Sequence, residues 1–278
     1  GFKSEMGFVH NLRHNSHSRE GGNPVEAWIP AFAGMTRSKM PELPEVETVA
    51  RALQNCVAGR KINAVRLARA DLRTPFPPDF AGKLAGRRIE SVSRRAKYVL
   101  FSLSGGLTLI AHLGMSGCFI TSDGKHKNGK HEHVFFTLDD GRMLIYRDPR
   151  RFGLMALANS KQLAEHSLLA HLGPEPFSKE FSTIYLKDAL ATRKGPIKPV
   201  LMDQELVVGV GNIYASEALF LAGIDPRTPA HKAASGSAAL VKSIRKVLSD
   251  AIESGGSSLR DFVNISGETG YFQHRFNV

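Results

Sequence analysis

Apolar residues recur at helical spacing soon after position 40 of the chain. The positions that share one helix face are Val46, Val49, Ala50, Leu53 and Val57. Gly59 follows the last of them, and a glycine at that place is typical of a helix end. The pattern predicts an amphipathic helix from Pro44 to Val57.

The pattern then changes to the alternation of apolar and polar side chains that is typical of half-buried strands. The predicted strands are Lys61 to Leu67, Ile89 to Leu103, Leu107 to Leu113, His133 to Leu138, Arg142 to Tyr146 and Leu154 to Ala158. Turn sequences such as Ser104-Gly105-Gly106 separate them. We expect a β-rich, sandwich-like domain over 41–172 that carries one helix at its front.

Helical periodicity returns after a proline-rich segment that starts at Gly173-Pro174-Glu175-Pro176 and that we interpret as a linker, 173–180. The predicted helices are Ser182 to Thr192, Lys198 to Leu206, Asn212 to Leu221 and Ser237 to Ser254. They form a helical domain over 181–261, and residues 262–278 have hairpin character. Residues 1–40 lack periodicity, and we interpret them as a non-native or disordered extension.

The net charge of the chain indicates which class of partner it binds. The net charge is +11 and the sequence pI is about 9.8, in the range of nucleic-acid-binding proteins. No stretch approaches the roughly 20 apolar residues of a membrane helix. Cys56 and Cys118 lie far apart in the sequence, which excludes a disulfide scaffold and fits a reducing, cytoplasmic compartment.

The run Pro41-Glu42-Leu43-Pro44-Glu45-Val46-Glu47-Thr48 follows Met40 directly. Prolines and carboxylates suit the first turn of a helix, which is one interpretation. In the other, translation starts at Met40, this residue is removed, and the Pro41 nitrogen becomes a secondary amine. Such an amine can attack a sugar C1′ and form an iminium, with Glu42 as its acid–base partner. Spacing alone leaves both interpretations open.

Other polar residues have two interpretations each. Lys97 lies in the predicted strand Ile89 to Leu103, on one face with Arg95 and Val99, where it is either a solvated side chain or a phosphate contact. His126, His131 and His133 have three lysines nearby that would repel a metal ion. We therefore expect a solvated loop at His126 rather than a metal site.

The segment Gly209-Val210-Gly211 precedes Asn212 between two predicted helices, so it does not indicate a dinucleotide-binding fold. Its amides, the Asn212 side chain and the following helix N-terminus can instead hold a phosphate. Lys198, Arg193 and Lys194 can add phosphate contacts.

Five motifs in this order resemble the bacterial formamidopyrimidine-DNA glycosylases over roughly residues 40 to 274. They are Pro41 to Thr48, Arg94-Arg95-Ala96-Lys97-Tyr98, His112-Leu113-Gly114-Met115-Ser116-Gly117, Asp148-Pro149-Arg150-Arg151-Phe152-Gly153 and Val210-Gly211-Asn212-Ile213-Tyr214-Ala215-Ser216-Glu217. The resemblance implies an α+β fold: a β-sandwich-like domain with a leading helix, then a helix-two-turns-helix domain. It also implies a monomeric repair enzyme that removes oxidised purines, such as 8-oxoguanine and formamidopyrimidines, from double-stranded DNA and cuts the strand as an abasic-site lyase.

The same resemblance implies the site residues. Pro41 is the nucleophile, Glu42 transfers protons at the sugar, and Lys97 assists elimination. Met115, Arg150 and Phe152 fill the hole that a flipped base leaves, with Arg150 on the orphaned cytosine; without the resemblance, Met115 and Phe152 would be core residues. His131 contacts DNA, and Asn212 clamps phosphate with Lys198 and Arg193.

Both ends of the chain depart from the family pattern. Family members end in a four-cysteine zinc hairpin, whereas this sequence stops at Val278, so no metal or other cofactor is expected in this chain. Ser257 to Thr269 is expected to cover the flipped base. A non-catalytic binder of damaged DNA is the alternative if the extension is retained, because the Pro41 nitrogen is then an amide. The pyrimidine-specific member of the same superfamily fits the sequence less well, because its start typically departs from the pattern of Leu43 and Val46.

Overall fold

The computed structural model describes residues 40–122, 126 and 129–255. The predicted extension before residue 40, the predicted cover of the flipped base and the hairpin-like end lie outside these residues. Within them, none of the helices combines the length and apolar character that crossing a membrane requires.

The first helix, α1, spans Leu43–Val57 and has two neighbours. Pro44 lies in its first turn, where a missing N–H costs no intrahelical bond. Val46 and Val49 are buried in the core of the β-rich half, whereas Leu43 is buried in the core of the helical half. The helix start is therefore held by both halves of the molecule.

The β-rich half contains two four-stranded antiparallel sheets, with α2 (Phe80–Leu84) between the first two strands of the sequence. The strands are β1 Ile62–Leu67, β2 Ile89–Arg95, β3 Tyr98–Leu103, β4 Leu107–His112, β5 Cys118–Ser122, β6 Glu132–Leu138, β7 Met143–Arg147 and β8 Leu154–Asn159. One sheet has the order β1-β6-β7-β5 and the other β2-β3-β4-β8. Phe101 of β3 and Phe119 of β5 meet edge to face, with ring centroids 5.5 Å apart, and so join the two sheets.

The prediction of one long strand from Ile89 to Leu103 is wrong. Strands β2 and β3 are a hairpin in which Arg95 pairs with Tyr98, and Ala96 and Lys97 form the turn. Lys97 thus lies in a turn and not on a sheet face. The alternation continues on both sides of this turn and contains no glycine or proline there, which is why the sequence hides the break. The sequence pattern also misses strand β5.

A 3₁₀ helix at Ser160–Glu165 and the segment 173–182, which has neither helix nor strand, precede the helical half. The helices there are α3 Thr183–Ala191, α4 Ile197–Leu201, α5 Asn212–Leu221, α6 Ala230–Ala233 and α7 Ser237–Glu253. The predicted helix Lys198 to Leu206 is wrong in its second half, because Asp203 accepts the Glu205 N–H in a turn. The α+β class, with a sandwich-like half and a helical half, is confirmed.

Candidate active site

The Glu42 carboxylate binds the N-terminus of α5. It accepts hydrogen bonds from the N–H groups of Gly211 at 2.7 Å and Ile213 at 2.9 Å, with the Tyr214 N–H at 3.4 Å. Glu42 is only 4% exposed, and a Cβ at position 211 would overlap its carboxyl group. Helix N-termini favour negative charge, so the α5 N–H groups stabilise the ionised form of the Glu42 carboxyl. Pro41 is buried beside it.

A second buried carboxylate, Glu45, links the backbone of Glu42 to the side chain of Tyr214 on α5. One of its oxygens accepts the Glu42 N–H at 2.9 Å, and the other accepts the Tyr214 hydroxyl at 2.7 Å. The Leu43 N–H donates to the Gly209 carbonyl at 3.0 Å. These bonds fix the peptide that joins Pro41 to Glu42 against α5. Our sequence reasoning did not assign Glu45 or Tyr214 a role, although a carboxylate three residues after a helix start is a recognisable capping signal.

Lys97 supplies a positive charge at the same place. Its Nζ lies 3.3 Å from the Val210 carbonyl oxygen, directly before Gly211. Burial lowers the pKa of Lys97, while the charges of Glu42 and Glu45 oppose that change. The turn between β2 and β3 thus brings the ammonium to the carboxylate.

Burial raises the pKa of the Glu42 carboxyl from its ordinary 4.5 to about 7. The Lys97 charge opposes this rise, Glu45 adds to it, and the α5 N–H groups oppose it further. A carboxyl with a pKa near 7 can both donate and accept a proton at neutral pH, which is what general acid–base catalysis requires.

His112, which the sequence reasoning also missed, belongs to this cluster. Its Nδ1 accepts the Gly114 N–H at 2.9 Å, and its ring meets Tyr98 edge to face at 5.0 Å. Burial, followed by the charges of Lys97 and Arg73, lowers its pKa to about 4. The imidazole is therefore neutral at physiological pH and positions the loop that follows it.

The structure brings Met115, Arg150 and Phe152 together on two adjoining loops. Gly114, with a φ of 64°, packs against the backbone of Phe152 so closely that a Cβ would overlap it. Phe152 is 44% exposed, so it is not a core residue, and the Arg150 guanidinium carbon lies 5.0 Å from its ring centroid. Met115 is half-buried.

Buried Asp148 organises these loops. It accepts the Ser116 hydroxyl at 2.6 Å and the Gly153 N–H at 2.8 Å, and Ser116 in turn accepts the Arg150 N–H at 3.0 Å. The Asp148 N–H donates to the carbonyl of His131 at 2.9 Å, so the predicted DNA-contacting histidine adjoins the same loops.

The remaining predicted residues lie in the helical half. Asn212 is exposed at the first position of α5, between the two residues that bind Glu42. Lys198 is half-buried on α4. Arg193 follows α3 and forms an ion pair with Asp203 at 2.7 Å, so its charge is already engaged.

His126 lies outside any helix or strand, as expected of a loop, but its side chain is only partly solvated. Its Nε2 lies 2.8 Å from the Glu132 carboxylate, and its side chain is 21% exposed. Over 40–122, 126 and 129–255, no group of histidine, cysteine and acidic side chains is arranged to hold a metal ion.

Comparison with known families gives two matches that follow each other along the chain. The model of the formamidopyrimidine-DNA glycosylase N-terminal domain matches residues 40–155, and the model of the H2TH domain of the same enzymes matches residues 172–263.

Individual relatives are similar over most of their length. The formamidopyrimidine-DNA glycosylase of Ruegeria pomeroyi is 50% identical over 248 residues, which cover 86% of this chain and 88% of the relative. That of Azorhizobium caulinodans is 48% identical over 258 residues with the same coverage.

Solved structures show the same fold. The Lactococcus lactis Fpg in complex with abasic-site DNA superimposes with a TM-score of 0.77 at 34% identity, covering 84% of this chain and 85% of that one. The MutM (Fpg) protein of Thermus thermophilus gives 0.75 at 39% identity with the same coverage.

Proposed function

The chain belongs to the formamidopyrimidine-DNA glycosylase family, and from this we propose that it removes oxidised purines from DNA and cuts the strand at the resulting abasic site. The observation that carries the proposal is the buried Glu42 carboxylate, held by the N-terminus of α5 beside the Lys97 ammonium and next to Pro41. The relatives named above are glycosylases, which favours catalysis over a non-catalytic binder of damaged DNA.

The reaction begins at the Pro41 nitrogen when this residue is the first of the chain. The amine attacks C1′ of a flipped nucleotide, the bond from C1′ to the base breaks, and the base leaves with a proton. Glu42 gives its proton to the ring oxygen of the sugar, the bond from C1′ to that oxygen opens, and an iminium forms. Its pKa near 7 suits this proton transfer at neutral pH.

Elimination then cuts the strand. The Glu42 carboxylate, left ionised by ring opening, takes a C2′ proton as the bond to the 3′ phosphate breaks. Loss of the C4′ proton to water then expels the 5′ phosphate, and water hydrolyses the iminium to an aldehyde and the free Pro41 amine. Lys97 contributes a fixed positive charge beside the departing phosphate. A buried ammonium acts more strongly than an exposed one, because little solvent screens it.

Two exposed side chains suit contact with the opened duplex. Phe152 and Arg150 project beside Met115, and a ring, a guanidinium and a thioether can replace the stacking of an extruded base. Arg150 can donate to the acceptor edge of the unpaired base. The exposed Asn212, at the start of α5, is placed to contact the phosphate backbone, and His131 adjoins the Arg150 loop.

We place the enzyme in the cytoplasm, with the chromosomal DNA, and as a monomer. Cys56 and Cys118, the two cysteines of the given sequence, lie apart on α1 and β5. No step of the reaction above uses a metal.

The test is borohydride trapping on an 8-oxoguanine duplex, with protein expressed from Met40 and shown by intact mass to begin at Pro41. We expect a covalent protein–DNA adduct, a strong loss of adduct in Pro41→Gly, and none after acetylation of the N-terminal amine. Equal trapping after acetylation would show that the amine is not the nucleophile. Tight binding without adduct or nick would favour the non-catalytic binder.

A further inference from the structure

The turn that carries Lys97 has a costly backbone. Ala96 adopts a φ of 52°, in the left-handed region that disfavours residues with a Cβ. A two-residue hairpin turn of this kind normally uses glycine or asparagine. Contacts from outside the hairpin must therefore hold the turn in place.

Glu175 supplies those contacts from the segment between the two halves. Its Oε1 accepts the Ala96 N–H at 2.8 Å, Arg95 Nη1 at 3.0 Å and Arg94 Nη1 at 3.1 Å. Its other oxygen forms an ion pair with Arg94 Nη2 at 2.8 Å. One carboxylate thus binds the turn peptide and both arginines that precede it.

The two arginines extend this connection in opposite directions. Arg94, whose side chain is 9% exposed, donates to the Ala96 carbonyl at 3.0 Å and to Glu47 of α1 at 2.8 Å. Arg95 donates to the carbonyls of Leu172 and Gly173 at 3.1 and 2.7 Å. The turn is therefore fastened to α1 on one side and to the segment that leads into the helical half on the other.

Charge balance agrees with this arrangement. Burial by itself raises the pKa of Glu175, but hydrogen bonds and the charge of Arg94, with help from Ala96 and Arg95, lower it below its usual value. Glu175 is thus ionised at neutral pH and matches the arginines. Loss of this charge leaves two partly buried guanidinium groups with fewer partners, which is costly.

We propose that Glu175 is a positioning residue for Lys97: it holds the Ala96–Lys97 turn so that the ammonium lies beside Glu42 and the Val210 carbonyl. Glu175 touches no reacting atom and acts only through the turn. The catalytic consequence rests on the proposed function, whereas the placement of Lys97 does not.

The first measurement does not depend on activity. In the full chain, lysines are reductively methylated with ¹³C-formaldehyde, and the Lys97 signal, assigned by its absence in Lys97→Arg, is titrated by NMR. In Glu175→Gln the Lys97 pKa should rise toward its ordinary value, because a loosened turn lets the ammonium reach water. Glu180→Gln, an exposed carboxylate in the same segment, is the matched control and should leave it unchanged. An identical Lys97 titration in Glu175→Gln overturns the proposal, whether or not the protein cuts DNA.

The second measurement is a double-mutant cycle in single-turnover excision of 8-oxoguanine. Glu175→Gln should slow excision about tenfold and change the affinity for an uncleavable abasic-analogue duplex by less than twofold. In a Lys97→Ala background the same substitution should change the excision rate less than twofold, because Glu175 then has no ammonium to position. Glu175→Asp keeps the charge on a shorter side chain, and its excision rate should lie between those of the wild type and Glu175→Gln. Equal losses in both backgrounds contradict a role through Lys97. An inactive parent enzyme would refute the proposed function, and the NMR result would still decide the placement.

Discussion

Replacing Glu42 by glutamine should remove a pH dependence from the stability of the protein. The pKa of this carboxyl is 4.5 in an ordinary setting and about 7 in the folded chain. At about 1.4 kcal/mol for each pKa unit, the difference corresponds to roughly 3 kcal/mol. The folded state therefore holds the Glu42 proton more tightly than the unfolded state between these two values.

The sign follows from this proton uptake. Below pH 4.5 Glu42 is protonated in both states, and its buried neutral form is tolerated. Between about pH 4.5 and 7 the unfolded state has released the Glu42 proton while the folded state still holds it, so the wild-type protein loses that stability over this range, and the loss is complete once the folded state also ionises. Relative to the wild type, Glu42→Gln should thus gain about 3 kcal/mol in the free energy of unfolding between about pH 4.5 and 7.5.

The assay is equilibrium urea unfolding at several pH values, followed by circular dichroism. The quantity compared is the change with pH of the difference in unfolding free energy between wild type and variant. Titration of the other groups cancels in this difference, and a constant cost of the lost hydrogen bonds does not alter its change with pH. Glu165→Gln, an exposed carboxylate, is the control and should give a flat difference. A flat or falling difference for Glu42→Gln would mean that the α5 N–H groups and Lys97 outweigh burial, and the acid–base role would lose its support.

Further changes test the other parts of the site. Lys97→Ala should slow 8-oxoguanine excision more than it weakens binding to an uncleavable abasic analogue, and parallel losses would make Lys97 an ordinary phosphate contact. Arg150→Ala should reduce discrimination for the base opposite the lesion by about 1–3 kcal/mol, measured as excision rates across the four opposite bases; unchanged preference would argue against readout by Arg150. Gly211→Ala should cost more than about tenfold in excision because the new Cβ overlaps the Glu42 carboxyl, whereas Gly195→Ala, where the added Cβ meets nothing, should not; equal rates for the two would contradict the close packing.

Local patterns in the sequence were sufficient for much of the fold. Helix α1 follows from the spacing of its apolar residues and the proline in its first turn, and most strands follow from alternation, because both depend on neighbours within a few residues. The motifs around Pro41, Met115 and Arg150 likewise named the residues that the structure then places at the two loops and at the helix start.

The sequence could not show how distant segments set the chemistry. The left-handed Ala96 that ends β2 is held by Glu175, 79 residues away, so alternation alone joined two strands into one. The sequence placed Glu42 at a helix start and did not show whether its side chain is buried. It is buried because Gly211 and Ile213, 169 and 171 residues along the chain, donate to it from another helix. A pKa depends on the solvent and charges around a group, and these are decided by tertiary packing, so the sequence could name Glu42 as an acid–base partner but only the structure gives its carboxyl a pKa near neutrality.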